Sequence, residues 1–263
     1  MKLGFIGSGK MASALMKSIL NANLVSKDDI VSSDKAQEQL DRIKNDLEIG
    51  VTGSNKEVVD KSDIIFLCVK PQDIDSILDE IKEGSEEKLF VSIAAGVKLE
   101  KLESKLNKIV RVMPNTPCMV GEMAAGFAPG KNVNDDEVKQ VGEILNAGGV
   151  AIQMEEKDLD AVTGLSGSGP AFVAFLIKAF AHAGIEAGLD KKTSRELTIQ
   201  TFLGTAKLLK ESNLCPNELI NMVSSPGGTT IAGREVLENS DVEEVVKKTV
   251  DAATKRSKEL GNG

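Results

Sequence analysis

Residues 2–12 read KLGFIGSGKMA: a short apolar run that breaks into glycines and restarts as an amphipathic segment. The run has the length and composition of a buried strand, and MASALMKSILNANL after it has the apolar spacing of a helix. Between the two, Gly7, Gly9 and Ala12 stand in the register G-x-G-x-x-A. Gly7 suits a tight turn, Gly9 lets backbone approach a pyrophosphate, and Ala12 keeps the helix close to the strand. The helix start adds N–H groups and a partial positive charge. A dinucleotide is the expected ligand.

Outward from this stretch, residues 1–154 alternate short β-branched runs with amphipathic segments. KLGFIG, DDIVSS, DIIFLCV, KLFVSIAA, KIVRVMP and GVAIQM read as strands; DIDSILDEIKEG and DDEVKQVGEILNAG read as helices. Such alternation predicts an α/β domain with a mostly parallel, helix-covered sheet, a Rossmann-type dinucleotide-binding domain. Its second strand ends in Val31-Ser32-Ser33-Asp34-Lys35. An acid here grips the ribose hydroxyls of NAD, whereas small hydroxyls with a nearby base accommodate the extra phosphate of NADP. Both signals are present. Asp34 falls later than the usual spacing, which favours NADP(H) and leaves NAD(H) open.

From residue 155 to 263 the strand pattern stops, and helices are expected near 169–187, 191–211, 216–223, 229–239 and 241–260. The first is apolar nearly all round, as in a helix buried on most sides or in a membrane span. Lys178, His182 and Glu186 recur every four residues along one stripe, which argues against a span. A second subunit is the easier cover, so this all-α C-terminal domain is expected to form a homodimer.

Several function classes are excluded by composition. A net charge of −8 over 263 residues opposes nucleic-acid binding, which needs a basic surface. Cys68, Cys118 and Cys215 have neither disulfide nor zinc spacing, so no metal is expected. The single His182, on a helix, leaves no Ser/His/Asp triad. Glycines and a lysine occupy the place of a signal-peptide apolar run, and a cytoplasmic protein is expected.

Two glycine-rich turns remain. Residues 164–170, GLSGSGP, are similar to the G-x-x-G-x-G segment of the β-hydroxyacid dehydrogenases, where a catalytic lysine follows. Here Val173, Leu176 and Ile177 occupy that region, so the group that would deprotonate an alcohol is missing. Residues 223–238, VSSPGGTTIAGREVLE, form a ligand-gripping helix start whose first residues hold no Asp, Glu, His, Lys or Cys.

Over essentially its whole length the chain resembles the pyrroline-5-carboxylate reductases. The motifs that carry the resemblance are FIGSGKMA, CVKPQ (68–72), VSIAAGV (91–97), VRVMPNTP (110–117), AVTGLSGSGPAF (161–172) and VSSPGGTTI (223–231). It implies reduction of the cyclic imine L-1-pyrroline-5-carboxylate to L-proline with NADPH or NADH, by a homodimer or ring of dimers, without metal or membrane. Carried over by motif, Gly7, Ser8, Gly9, Lys10, Met11, Ala12, Ser32, Ser33 and Asn55 would contact the cofactor around its pyrophosphate and adenosine ribose. Val69, Lys70, Pro71, Ala94, Ala95 and Gly96 would line its nicotinamide side. Glu156, Ser166, Gly228, Thr229 and Thr230 would bind substrate, with Thr230 positioning the ring nitrogen. Asp34 and Phe172 depart from many relatives. The rivals are another NADP-dependent imine reductase, a hydroxyacid dehydrogenase, or a dinucleotide-binding module without turnover.

Overall fold

The computed structural model describes residues 1–261. It divides into two compact units, Met1–Ser168 together with the chain from Asp251 onward, and Gly169–Val250. The first unit therefore runs past residue 154, because Leu159 is fully buried within its core.

In the first unit the described strands are β1 (Leu3–Ile6), β2 (Ile30–Ser33), β3 (Gly50–Thr52), β4 (Ile64–Leu67), β5 (Leu89–Ser92), β6 (Lys108–Met113), β7 (Met123–Pro129) and β8 (Gly149–Gln153). They form one sheet in the order β3-β2-β1-β4-β5-β6-β7-β8. Every pairing is parallel except β6 with β7. With them go helices α1 (Lys10–Asn21), α2 (Gln37–Leu47), α3 (Asn55–Lys61), α4 (Ile74–Ile81), α5 (Leu99–Glu103), α6 (Asp135–Asn146) and α7 (Leu159–Val162).

The strands β1, β4 and β5 are almost wholly apolar because both faces of the sheet are covered. Side chains alternate between the faces. Leu3, Phe5, Ile64, Phe66, Leu89 and Val91 build one core layer, and Ile6, Ile65, Leu67 and Phe90 build the other. Phe5 and Phe66 stack across the strand pair with ring centroids 4.8 Å apart. Gly4 has no side chain because a Cβ there would lie 2.6 Å from Val58 of α3.

The second unit holds α8 (Gly169–Glu186), α9 (Lys191–Ser212), α10 (Pro216–Met222), α11 (Thr229–Glu238) and the start of α12 (Val242–Leu260). Asp190 caps α9 by accepting the N–H groups of Lys192 and Thr193. Ser194 donates to the Ala181 carbonyl at 2.6 Å, and Phe180 meets Phe202 edge-on at 5.5 Å, which joins α9 to α8. Nothing in α8 itself is buried; Val173, Phe175 and Phe180 are exposed. The helical stretch Glu156–Glu186 is long and apolar enough to cross a membrane by length and composition.

Candidate active site

In a doubly wound sheet, ligands bind beyond the carboxyl ends of the strands where the strand order reverses. Here that point lies between β1 and β4. Gly7–Gly9 with the start of α1 follow β1, Val69–Pro71 follow β4 and Ala94–Gly96 follow β5, so three predicted segments emerge side by side from neighbouring parallel strands.

The first turn is built for close approach. Gly7 has φ +98°, and a Cβ there would stand 2.6 Å from the Cys68 carbonyl oxygen. Gly9 caps α1 with extended geometry and no side-chain hydrogen bond, the first turn holds no acid, and a Cβ on Gly9 would meet nothing within 4 Å. The N–H groups opening this twelve-residue helix are thus left for an anion. A dinucleotide pyrophosphate fits this cradle. Lys10 is exposed, Met11 half-buried and Ala12 buried against the sheet.

A polar web fixes the turn from beneath. The Gly7 N–H donates to the Ser33 carbonyl at 2.8 Å, and the Ser8 N–H donates to Asp34 Oδ2 at 2.8 Å. Asp34 Oδ1 accepts the Ala36 N–H. Ser8 and Ser32 share a hydroxyl bond of 2.9 Å, and Ser33 donates to Asn55 Oδ1 at 2.7 Å. Ser8, Ser32 and Ser33 are at most 1% exposed. Their hydroxyls are buried within this web at the carboxyl end of β2, which is where sequence reasoning puts Ser32 and Ser33. Arg42 of α2, which sequence reasoning misses, donates to the Ser8 carbonyl at 2.8 Å and to Ser13 Oγ at 3.2 Å.

Beyond β4, burial pushes the Cys68 thiol up, so it stays an unreactive neutral group beside the turn. Val69 is half-buried, while Lys70 and Pro71 are exposed. Beyond β5, Ala94 is buried, Ala95 exposed, and Gly96 has φ +77°. Glu156 comes to this turn as well. Its Oε1 accepts the Leu99 N–H at 2.6 Å and a bond from Arg111 at 2.8 Å. Asn115, also missed in the sequence, donates to the Ser166 carbonyl at 3.0 Å and accepts the Ala124 N–H. The Ser166 hydroxyl turns back to the Val162 carbonyl at 3.1 Å within a π-turn, Thr163–Gly167. A lone arginine inside the apolar run of β6 was the available signal for Arg111, whereas Asn115 lies beyond the end of that strand.

Gly228, Thr229 and Thr230 lie in the second unit, at the start of α11. Gly227 takes φ +69°, a left-handed turn that favours glycine, and Gly228 caps the helix in extended geometry. No side chain caps α11, its first turn has no acid, and Thr229 and Thr230 are exposed. This is an open N-terminus with two hydroxyls beside it. Among the described residues no group of three His, Cys, Asp or Glu stands together as metal ligands.

Comparison with known proteins adds to this geometry. Residues 156–260 match the family model described as pyrroline-5-carboxylate reductase dimerisation, and residues 2–96 match one described as NADP oxidoreductase, coenzyme F420-dependent. The chain is 45% identical to pyrroline-5-carboxylate reductase of Methanosarcina acetivorans over 99% of its own length and 98% of that relative. A solved pyrroline-5-carboxylate reductase from Coxiella burnetii superimposes with TM-score 0.95 at 32% identity, covering 98% of both chains. The Plasmodium falciparum pyrroline carboxylate reductase, solved with NADP bound, gives TM-score 0.86 at 38% identity over 99% of this chain and 98% of that one.

Proposed function

The chain belongs to the pyrroline-5-carboxylate reductase family, and on that premise we propose that it reduces L-1-pyrroline-5-carboxylate to L-proline with NADPH. The observation that carries this reading is the uncapped α1 start at the strand-order switch point, joined in the same sequence with the acid-free SSPGGTT turn. Bound NADPH supplies the hydride. The protein's own residues bind and orient.

At the cofactor site, the α1 N–H groups hold the pyrophosphate, and Gly7 and Gly9 give it room. Ser32 and Ser33 support the loop through Ser8 and Asn55. Both Asp34 oxygens already accept backbone N–H groups, which leaves them less free for ribose hydroxyls and supports NADPH over NADH.

At the substrate site, the start of α11 holds the carboxylate, and Thr230 accepts or donates at the ring nitrogen. A protonated cyclic imine is already electrophilic, so adding hydride to its carbon turns C=N into C–N without a catalytic base. Positioning and a preset field are sufficient. That removes the demand for the lysine absent near Val173.

The helical region forms a homo-oligomer. A homodimer, alone or in a ring, is the assembly that suits the uncovered α8, and the cytoplasm is the compartment that suits its free thiols. NADPH deuterated at its transferable position tests the reaction. Deuterium on the former imine carbon of proline is expected. Cofactor binding without labelled proline would favour another imine substrate or a module without turnover.

A further inference from the structure

Arg111 sits in the middle of β6 with only 7% exposure, in register with Ser92 of β5, where a doubly covered strand normally carries an apolar side chain. A buried guanidinium needs a partner, and its partner is Glu156 at 2.8 Å. The oxygen that receives Arg111 also accepts the N–H of Leu99, the first residue of α5. Leu99 directly follows the turn 94–98, whose other end is tied where the Ala94 N–H donates to Ser92 Oγ at 3.3 Å. The turn itself contains Gly96 in a left-handed conformation, so its backbone does not hold this shape by strand pairing.

We propose that Arg111 and Glu156 are positioning residues for hydride transfer. Together they clamp the turn 94–98 in the shape that meets the nicotinamide end of the cofactor, and Glu156 acts through Leu99 instead of touching substrate. The proposal rests on the reading that Ala94–Gly96 lines the nicotinamide. The ion pair has a consequence beyond packing, because loss of Glu156 leaves the Arg111 guanidinium buried without its partner and frees one end of the turn, while loss of Arg111 removes the bond that holds Glu156 in place at Leu99. The pyrophosphate cradle at Gly7–Gly9 has its own web of bonds and does not depend on this pair.

The test compares Glu156→Gln, Arg111→Met, Arg111→Lys and Ala95→Leu by NADPH titration, by the fluorescence of bound NADPH without substrate, and by kcat and KM. Glu156→Gln and Arg111→Met are expected to alter the bound-NADPH emission and lower kcat about tenfold or more, while NADPH affinity and the KM for pyrroline-5-carboxylate each move less than about threefold. Arg111→Lys is expected to restore part of both. If Arg111→Met does not fold, Glu156→Gln carries the test alone, since its neutral amide keeps the side chain's shape while removing the charge that holds Arg111 and strengthens the Leu99 bond. A raised KM for pyrroline-5-carboxylate with unchanged emission would overturn the clamp and make Glu156 a substrate contact. Silent clamp variants beside an Ala95→Leu that disturbs the emission would overturn the clamp and keep the turn's placement. Silence in all of them would overturn both.

Discussion

Gly7 shows how one residue joins conformation to chemistry. At φ +98°, with the Cys68 carbonyl 2.6 Å from where a Cβ would be, Gly7→Ala meets both strain and a backbone clash. The expected cost is about 1–3 kcal/mol of stability, with NADPH affinity weakened about tenfold or more; thermal unfolding and fluorescence titration measure the two. Thr230 poses the opposite case, an exposed hydroxyl with no structural duty as a cap. Thr230→Ala should fold normally and lose more than about threefold in kcat, and a smaller loss from folded protein would leave it a plain helix-start residue. Gly7 was readable from spacing alone because a tight turn leaves a local mark. Arg42 was not, since its bond to Ser8 spans 34 residues and depends on how α2 lies beside α1.

At the scale of elements, α6 has the most explicit sequence signal. Asn134 accepts the Glu137 N–H at 2.9 Å while Glu137 returns a bond to the Asn134 N–H, so Asn134→Ala should cost about 1 kcal/mol in denaturant unfolding. Glu137 also pairs with Lys108 at 2.8 Å. Burial opposes its ionisation, yet the Lys108 bond, the Asn134 N–H and the Lys108 charge outweigh it and hold the carboxyl below its ordinary 4.5. A depressed carboxyl stabilises the fold above the unfolded value and loses that contribution as pH falls through the folded one. The thermal midpoint should therefore drop as pH is lowered below 4.5, and Glu137→Gln should flatten that part of the profile. The apolar runs of β1, β4, β5 and β6 were legible because burial on both faces writes itself into composition. β7 was not: MAAGFAP has no β-branched residue, and its strand form comes from pairing with β6 and β8. The short β3 likewise takes its form from β2.

The whole molecule is two units of unequal self-sufficiency. Among the described residues 169–250, Leu219 is the only buried hydrophobic side chain, while Phe175, Leu197, Leu203, Met222 and Val236 are each more than half exposed. Helices gain most of their stability from tertiary packing, so this unit needs apolar cover that its own chain does not provide. A second copy provides it in this family of reductases, and sedimentation at micromolar concentration should give a mass that is a multiple of 28.0 kDa. A 28.0 kDa species there would contradict oligomerisation through the helices. The reaction itself is tested most directly by incubating the purified protein with pyrroline-5-carboxylate and NADPH, or NADH, and measuring nucleotide oxidation and proline together. Proline formed one for one with NADPH oxidised, faster than with NADH, is the predicted result. A folded protein that binds NADPH yet forms no proline with either nucleotide would contradict it.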